Sequence, residues 1–262
     1  MNISDIVVDI NDFLIVANMK SGFIQMGTNG GVAMMVKSAV KEDDKYLIKK
    51  FFKAIIDVPS ITGYPDIYYE NVLIPPILID HLLDRDTDKN ILNKIRQHLT
   101  DNSSWLETNG LMSIAEMSFD SDMSSHYRMY NKQNIKLVEL LMDAGYCVHL
   151  LGNCSRRSLD KIIDYHGKFE IDSITTSSDL KSLKCSNSNK YDIYDKFLTN
   201  SGLEPSSTLF MEVNQGYIDA INHFNPDIPT ILYRGKTEKE EFVAELAKLL
   251  DIDLDFSYIG KK

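Results

Sequence analysis

Cysteine is scarce in this chain: Cys147, Cys154 and Cys185 are the three in 262 residues. Their number is odd and no Cys-x-x-Cys pair occurs, which argues against a disulfide framework or zinc knuckle and for a reducing compartment. Beside Asn153, Cys154 reads as a small buried residue. The six histidines (His81, His98, His126, His149, His166 and His223) form no His-Glu-x-x-His pattern. His149 falls inside a strand pattern and reads as a packed residue rather than a ligand. Positive charge is also short, with 28 Lys and Arg against 38 Asp and Glu and a net charge of −10. No basic stripe is present to release counterions, so nucleic acid is not an expected partner. Arg156-Arg157 is the only tight basic spot near Asn153; it reads more simply as an exposed helical pair than as an anion site. Long apolar runs are missing too. The N-terminal one is broken by Asp5, Asp9 and Asp12, so neither a signal peptide nor a membrane span is expected. The expected location is the cytoplasm, with export by a route needing no cleavable signal left open.

A hydrophobic content of 44% over this length suffices for one α/β core and a second, smaller subdomain. From about Asn131, helical and strand patterns alternate. The spacing predicts helices over 135–144, 159–165, 191–198, 216–223 and 238–250, and strands over 147–151, 171–175, 209–213 and 230–233. Short apolar strands alternating with amphipathic helices predict a Rossmann-like parallel sheet with helices on both faces. Residues 20–130 read differently, with helical periodicity at Tyr46 to Ile55, Ile77 to Leu83, Ile91 to Leu99 and Leu111 to Met117. The expected organisation is an α/β core of residues 1–18 and 131–262 around a mostly helical insertion of 19–130. In that insertion Gly27, Gly30 and Gly31 lack the Lys-Ser/Thr of a phosphate loop and predict a tight turn or hairpin. Tyr64, Tyr68 and Tyr69 cluster among three prolines, where they either pack the insertion or line a pocket or interface.

Asp9 ends the first strand, after Ile6 to Val8. The carboxyl end of a buried strand is where α/β proteins present a nucleophile or metal ligand; capping a turn is the plainer use of Asp9 and Asp12. Three later segments fall into order behind it: Val148 to Asn153, Ser177 to Lys184, and Thr208 to Ile221. For each a plainer use exists. Asn153 or Ser155 could cap the helix near Arg156, and Lys184 could be a solvated loop charge. Glu212 ends an apolar strand, where a buried carboxylate needs a partner.

Together these four segments resemble the ordered motifs of the haloacid dehalogenase-like (HAD) superfamily, most closely the subfamily whose cap follows the first motif. The resemblance covers residues 6–16 and about 132–250, and it makes 19–130 the cap. It implies a phosphate-handling site with Asp9 as nucleophile, Asn11 at the position of the general acid, Asn153 and Lys184 on the phosphate, and Asp9 and Glu212 on Mg²⁺. Lys181 and Lys190 are alternatives to Lys184. The chain departs from the pattern at three places: Asn11 replaces the acid, Gly152 stands where a phosphate-binding Ser or Thr belongs, and Val213 replaces the second acid of the last motif.

General acid–base assistance is worth ~10²–10⁴-fold in rate, so Asn11 alone would cripple hydrolysis of a phosphomonoester with a poor leaving group. Losses within one catalytic unit are strongly non-additive. The expectation is therefore an impaired or pseudo-phosphatase that binds a small phosphorylated molecule or, through its cap, a protein partner, with Mg²⁺ weak or lost. A Mg²⁺-dependent phosphatase using Asp9 ranks second, its acid supplied by Asp12 or the cap. A dehalogenase-like hydrolase ranks third, favoured by Asn214 but disfavoured by Tyr217 and Gly152.

Overall fold

The structure, a computed structural model, describes residues 2–17, 50–61, 67–69, 72–184, 192–235 and 239–252. Gly27, Gly30, Gly31, Tyr46, Leu47, Tyr64, Cys185 and Lys190 lie outside them.

Five short strands build one parallel sheet: β1 (Asp5–Asp9), β2 (Cys147–Gly152), β3 (Ser173–Thr176), β4 (Thr208–Glu212) and β5 (Thr230–Leu232), in spatial order β3-β2-β1-β4-β5. All four pairings are parallel. The order is that of a Rossmann-like sheet, reversing direction on either side of β1. The central strands are near-continuous apolar runs because both faces are covered: Ile6, Val7, Val8, Leu209, Phe210 and Met211 are all buried. On one face Val7, Leu151 and Phe210 pack with Tyr194, Phe197, Ala220 and Ile221. Phe210 meets the rings of Tyr194 and Phe197 edge-on, at 5.9 and 6.2 Å between centroids, a favoured aromatic geometry.

Four helices before, between and after these later strands match the sequence periodicity. They span Lys132–Asp143, Asp192–Ser201, Gln215–Phe224 and Lys239–Leu250. A further four-residue helix, Ser177–Leu180, lies where no helical period is visible. It is set by a capping box in which Thr176 and Asp179 satisfy each other's backbone N–H groups.

The chain divides into two compact units. One comprises Met1–Val16, Tyr130–Asn153 and Phe169–Lys262; the other comprises Ala17–Met129 and Cys154–Lys168. The sequence division differs at Cys154–Lys168, which it left in the α/β core. That segment opens on the helix Arg156–His166, and its first residues converge on Asp84 of the second unit. The Asp84 carboxylate accepts hydrogen bonds from Ser155 Oγ (2.5 Å), Arg156 N (2.8 Å) and Arg157 Nε (2.8 Å). The described part of the second unit is otherwise mostly helical, with helices Pro76–Leu82, Asp88–Asn102, Trp105–Phe119 and Ser121–Tyr127. Thr87, Ser104 and Asp120 supply the N-caps of the last three. Its core is Phe51, Ile55, Ile77, Ile91, Ile95, Leu99, Leu111 and Phe119.

Candidate functional site

Asp9, Asn11, Asn153, Lys184 and Glu212 come together at the carboxyl ends of β1, β2 and β4. Every one of them belongs to the first unit.

Beyond β1 the chain folds into a tight turn rather than running straight on into a second strand. Leu14 and Ile15 both donate to the Ile10 carbonyl, and Asp12 sits at φ 61°, a conformation Asp tolerates. This turn buries Phe13 and Leu14 and leaves Asp12 exposed. It also brings the Asn11 backbone N–H to Asp9 Oδ1 at 3.2 Å. The Asn11 side chain donates to the Asn153 carbonyl at 3.0 Å.

Lys184 is brought inside by the capped helix Ser177–Leu180. Lys181 ends it at φ 50° and stays exposed, Ser182 N–H returns to the Ser177 carbonyl at 3.1 Å, and Ser182, Leu183 and Lys184 turn inward. Of the lysines the sequence offered, Lys184 therefore reaches the site and Lys181 does not. Asn153 fixes its backbone from both sides: Nδ2 donates to the Lys184 carbonyl at 2.6 Å and Oδ1 accepts the Lys184 N–H at 2.7 Å. With its amide committed in this way, Asn153 positions Lys184. Ser155, not Asn153, caps the following helix.

The Lys184 side chain is fully buried. Its ammonium lies 2.9 Å from Asp9 Oδ2, and 2.9 and 3.2 Å from the two oxygens of Glu212. Lys184 is therefore no solvated loop charge, and Glu212 has found the partner its burial demands. Burial works against the ammonium, but the charges of Asp9 and Glu212 outweigh it and raise the Lys184 pKa. Burial pushes the Glu212 carboxyl well above the usual carboxylate range; Lys184 opposes the shift and Asp9 adds to it. Two carboxylates share one ammonium, and burial disfavours the Glu212 anion.

Two further residues shape the site, and sequence reasoning gave neither this role. The Tyr217 ring lies over Lys184, 5.0 Å from Nζ to the centroid, and its hydroxyl accepts from Asn153 Nδ2 at 3.3 Å. Its signal was only its place on the buried face of the helix Gln215–Phe224. Gly152 passes so close to Ile10 that a Cβ there would fall 2.6 Å from Ile10 Cβ. No hydroxyl-bearing side chain fits at this point unless Ile10 moves. Asn214 caps the last helix of the site, its Oδ1 accepting from Gly216 N–H at 2.7 Å.

No family model matches the sequence, and no curated protein matches it. Solved structures do. A HAD family enzyme of Bacteroides thetaiotaomicron is similar over 100% of both chains, at TM-score 0.55 and 11% identity. A predicted HAD-like family hydrolase of Porphyromonas gingivalis is similar over 97% of this chain and 100% of its own, at TM-score 0.55 and 14% identity. The chain shares the fold of these structures. The Bacteroides enzyme also has a structure, at TM-score 0.54 and 11% identity over 99% of this chain and 100% of its own, in complex with magnesium and inorganic phosphate.

Magnesium is thus the metal that this neighbour brings into question, and here the Lys184 ammonium already bridges Asp9 and Glu212, the two carboxylates that would hold it. Mg²⁺ demands near-octahedral oxygen ligation. All four carboxylate oxygens here already accept a hydrogen bond, one from Asn11 N–H and three from Lys184. Among the described residues no group of three or more His, Cys, Asp or Glu side chains is placed to hold a metal ion. None of their helices is long and apolar enough to cross a membrane.

Proposed function

We propose that this chain is a HAD-fold protein with an eroded phosphoaspartyl site, acting by binding a ligand or partner rather than by turning over a phosphate ester. The observation that carries this reading is the closure of Asp9 and Glu212 on Lys184, which leaves no carboxylate oxygen unengaged. The ammonium acts as the resident cation, and Mg²⁺ binds weakly or not at all. Each departure from the motif pattern has a structural counterpart. Asn11 spends its amide on the Asn153 carbonyl, and a side-chain amide has no acidic proton to give a leaving group. Gly152 supplies no hydroxyl, and one could enter there only if Ile10 moved; Val213 contributes no oxygen from its side chain.

The ligand class we favour is a small phosphorylated molecule or a protein partner recognised through the helical insertion, in a reducing, cytoplasmic setting. Nucleic acid and membrane are not proposed partners.

The second reading is a phosphatase that uses Asp9 as nucleophile. It is favoured by the neighbouring HAD enzyme's complex with magnesium and phosphate and by the burial of Asp9 beside Lys184. Asp12, exposed on its turn, is the acid nearest Asp9 in the chain. A dehalogenase-like reading ranks third, because Tyr217 stands where such enzymes carry an acidic residue and Gly152 offers no hydroxyl.

Calorimetric titration of Mg²⁺ into the full chain, followed by inorganic phosphate in its presence, separates the first two readings. The proposal expects no saturable binding of either that depends on Asp9. Binding of Mg²⁺ that is abolished by Asp9→Asn would overturn it.

A further inference from the structure

A second chemical constellation lies at the opposite, amino-terminal end of the same sheet, and nothing in the HAD-like site uses it. His149 on β2 lies between β1 and β3, with its two ring nitrogens engaged on opposite sides. Nε2 is 3.1 Å from Asp5 Oδ1, and Nδ1 is 2.8 Å from Ser173 Oγ. Strand register produces the alignment: Asp5 stands opposite Cys147, and Val7, His149 and Ser173 stand abreast. Asp5, His149 and Ser173 therefore share one face of three adjacent strands.

The geometry fixes the roles. A carboxylate only accepts hydrogen bonds, so Asp5 places the imidazole proton on Nε2 and leaves the Nδ1 lone pair to receive the Ser173 hydroxyl proton. Asp5 is itself held, its Oδ2 accepting from Ser4 Oγ at 2.6 Å. His149 is steadied from another side by Phe197, edge-on at 6.5 Å between centroids. A nucleophile within hydrogen-bond reach of a base that a third group orients is the signature of an activated serine, recognised by geometry and not by order along the chain.

The position of Ser173 suits that role. β3 is an edge strand of the sheet, and Ser173 is only partly covered. The preceding Asp172 N–H bonds inward to the Val148 carbonyl at 3.1 Å. Successive residues of a strand direct their N–H groups to alternate sides, so the Ser173 N–H faces outward from the sheet edge. A backbone donor beside the hydroxyl is what a tetrahedral oxyanion requires.

We infer that Ser173, with His149 as base and Asp5 as its orienting partner, is an acyl-accepting serine that takes acyl esters. Ser173 Oγ attacks the ester carbonyl as its proton passes to His149 Nδ1. The carbon–alkoxide bond then breaks, and the alcohol leaves with that proton. Water, deprotonated by His149, cleaves the acyl-Ser173 ester and returns the serine with a carboxylic acid. No metal or redox partner enters.

The test is labelling of the full-length folded protein with a fluorophosphonate probe, with the modified peptide located by mass spectrometry, alongside burst kinetics with p-nitrophenyl acetate. Labelling at Ser173 is expected, absent in Ser173→Ala and slowed about 10²–10⁴-fold in His149→Gln, the usual worth of a general base. Ser173→Ala removes one oxygen from a partly covered edge position and should leave the circular dichroism spectrum unchanged. The spectrum thus separates loss of the nucleophile from loss of fold. Failure of the folded wild type to label, labelling at another residue, or a rate indifferent to His149→Gln would each overturn the inference.

Discussion

Asn153 grips the backbone of Lys184 through both ends of its amide, at 2.6 Å to the carbonyl and 2.7 Å from the N–H. Thirty-one positions apart in sequence, these two residues fix where the buried ammonium stands.

Asn153→Ala should therefore loosen the segment carrying Lys184 without touching any charge. Two buried backbone groups lose their partners, at about 1–3 kcal/mol each. Hydrogen exchange of the Lys184 amide should accelerate in the variant, while exchange in β1 follows global stability alone.

Lys184→Met should be more damaging. Removing the shared cation leaves Asp9 and Glu212 buried without compensation, and breaking a buried pair costs about 3–5 kcal/mol. Urea unfolding should show that loss. Adding Glu212→Gln should recover part of it, since one of the two uncompensated carboxylates is then neutral.

Gly152→Ser tests whether the missing hydroxyl can simply be restored. Its Cβ would fall 2.6 Å from Ile10 Cβ, and overpacking of this kind costs about 1–3 kcal/mol. A lower unfolding midpoint is expected, with no gain in affinity for inorganic phosphate.

Acid sensitivity should come partly from Asp88 in the second unit. Burial opposes its ionisation, but the His81 imidazole 3.5 Å away and the hydrogen bond from Ser121 prevail and lower its pKa from 3.8 to about 2. A carboxyl lowered in the folded state stabilises above its unfolded pKa, and that stability fades as pH falls from about 4 to 2. The full contribution is about 2 kcal/mol. Chemical denaturation at pH 5 and pH 2 should show this acid-labile part in the wild type and its absence in Asp88→Asn.

Much of the α/β core was legible because its signals are local. Apolar strands of three to six residues alternate with amphipathic helices, and Asp9, Lys184 and Glu212 sit at strand ends or just past a turn. The short helix Ser177–Leu180 was not legible, since its cause is a capping box and not a hydrophobic period. Nor was the inward turn of Lys184, which depends on the αL conformation of Lys181 and the clamp from distant Asn153. The grouping of Cys154–Lys168 with the second unit was equally hidden. It rests on the packing of the helix Arg156–His166 against Ser121–Tyr127 and on three hydrogen bonds to Asp84, about seventy residues earlier. Gly152 announced a lost hydroxyl, but only its approach to Ile10 explains why the position stays bare.

The most direct measurement is hydrolysis of a generic activated aryl phosphate in the presence of Mg²⁺, comparing the wild type with Asp9→Asn. An activated leaving group needs little protonation, so the assay forgives Asn11 and isolates the nucleophile. A site closed on Lys184 predicts no turnover that depends on Asp9. Turnover by the wild type that disappears in Asp9→Asn would contradict it and establish Asp9 as a working nucleophile.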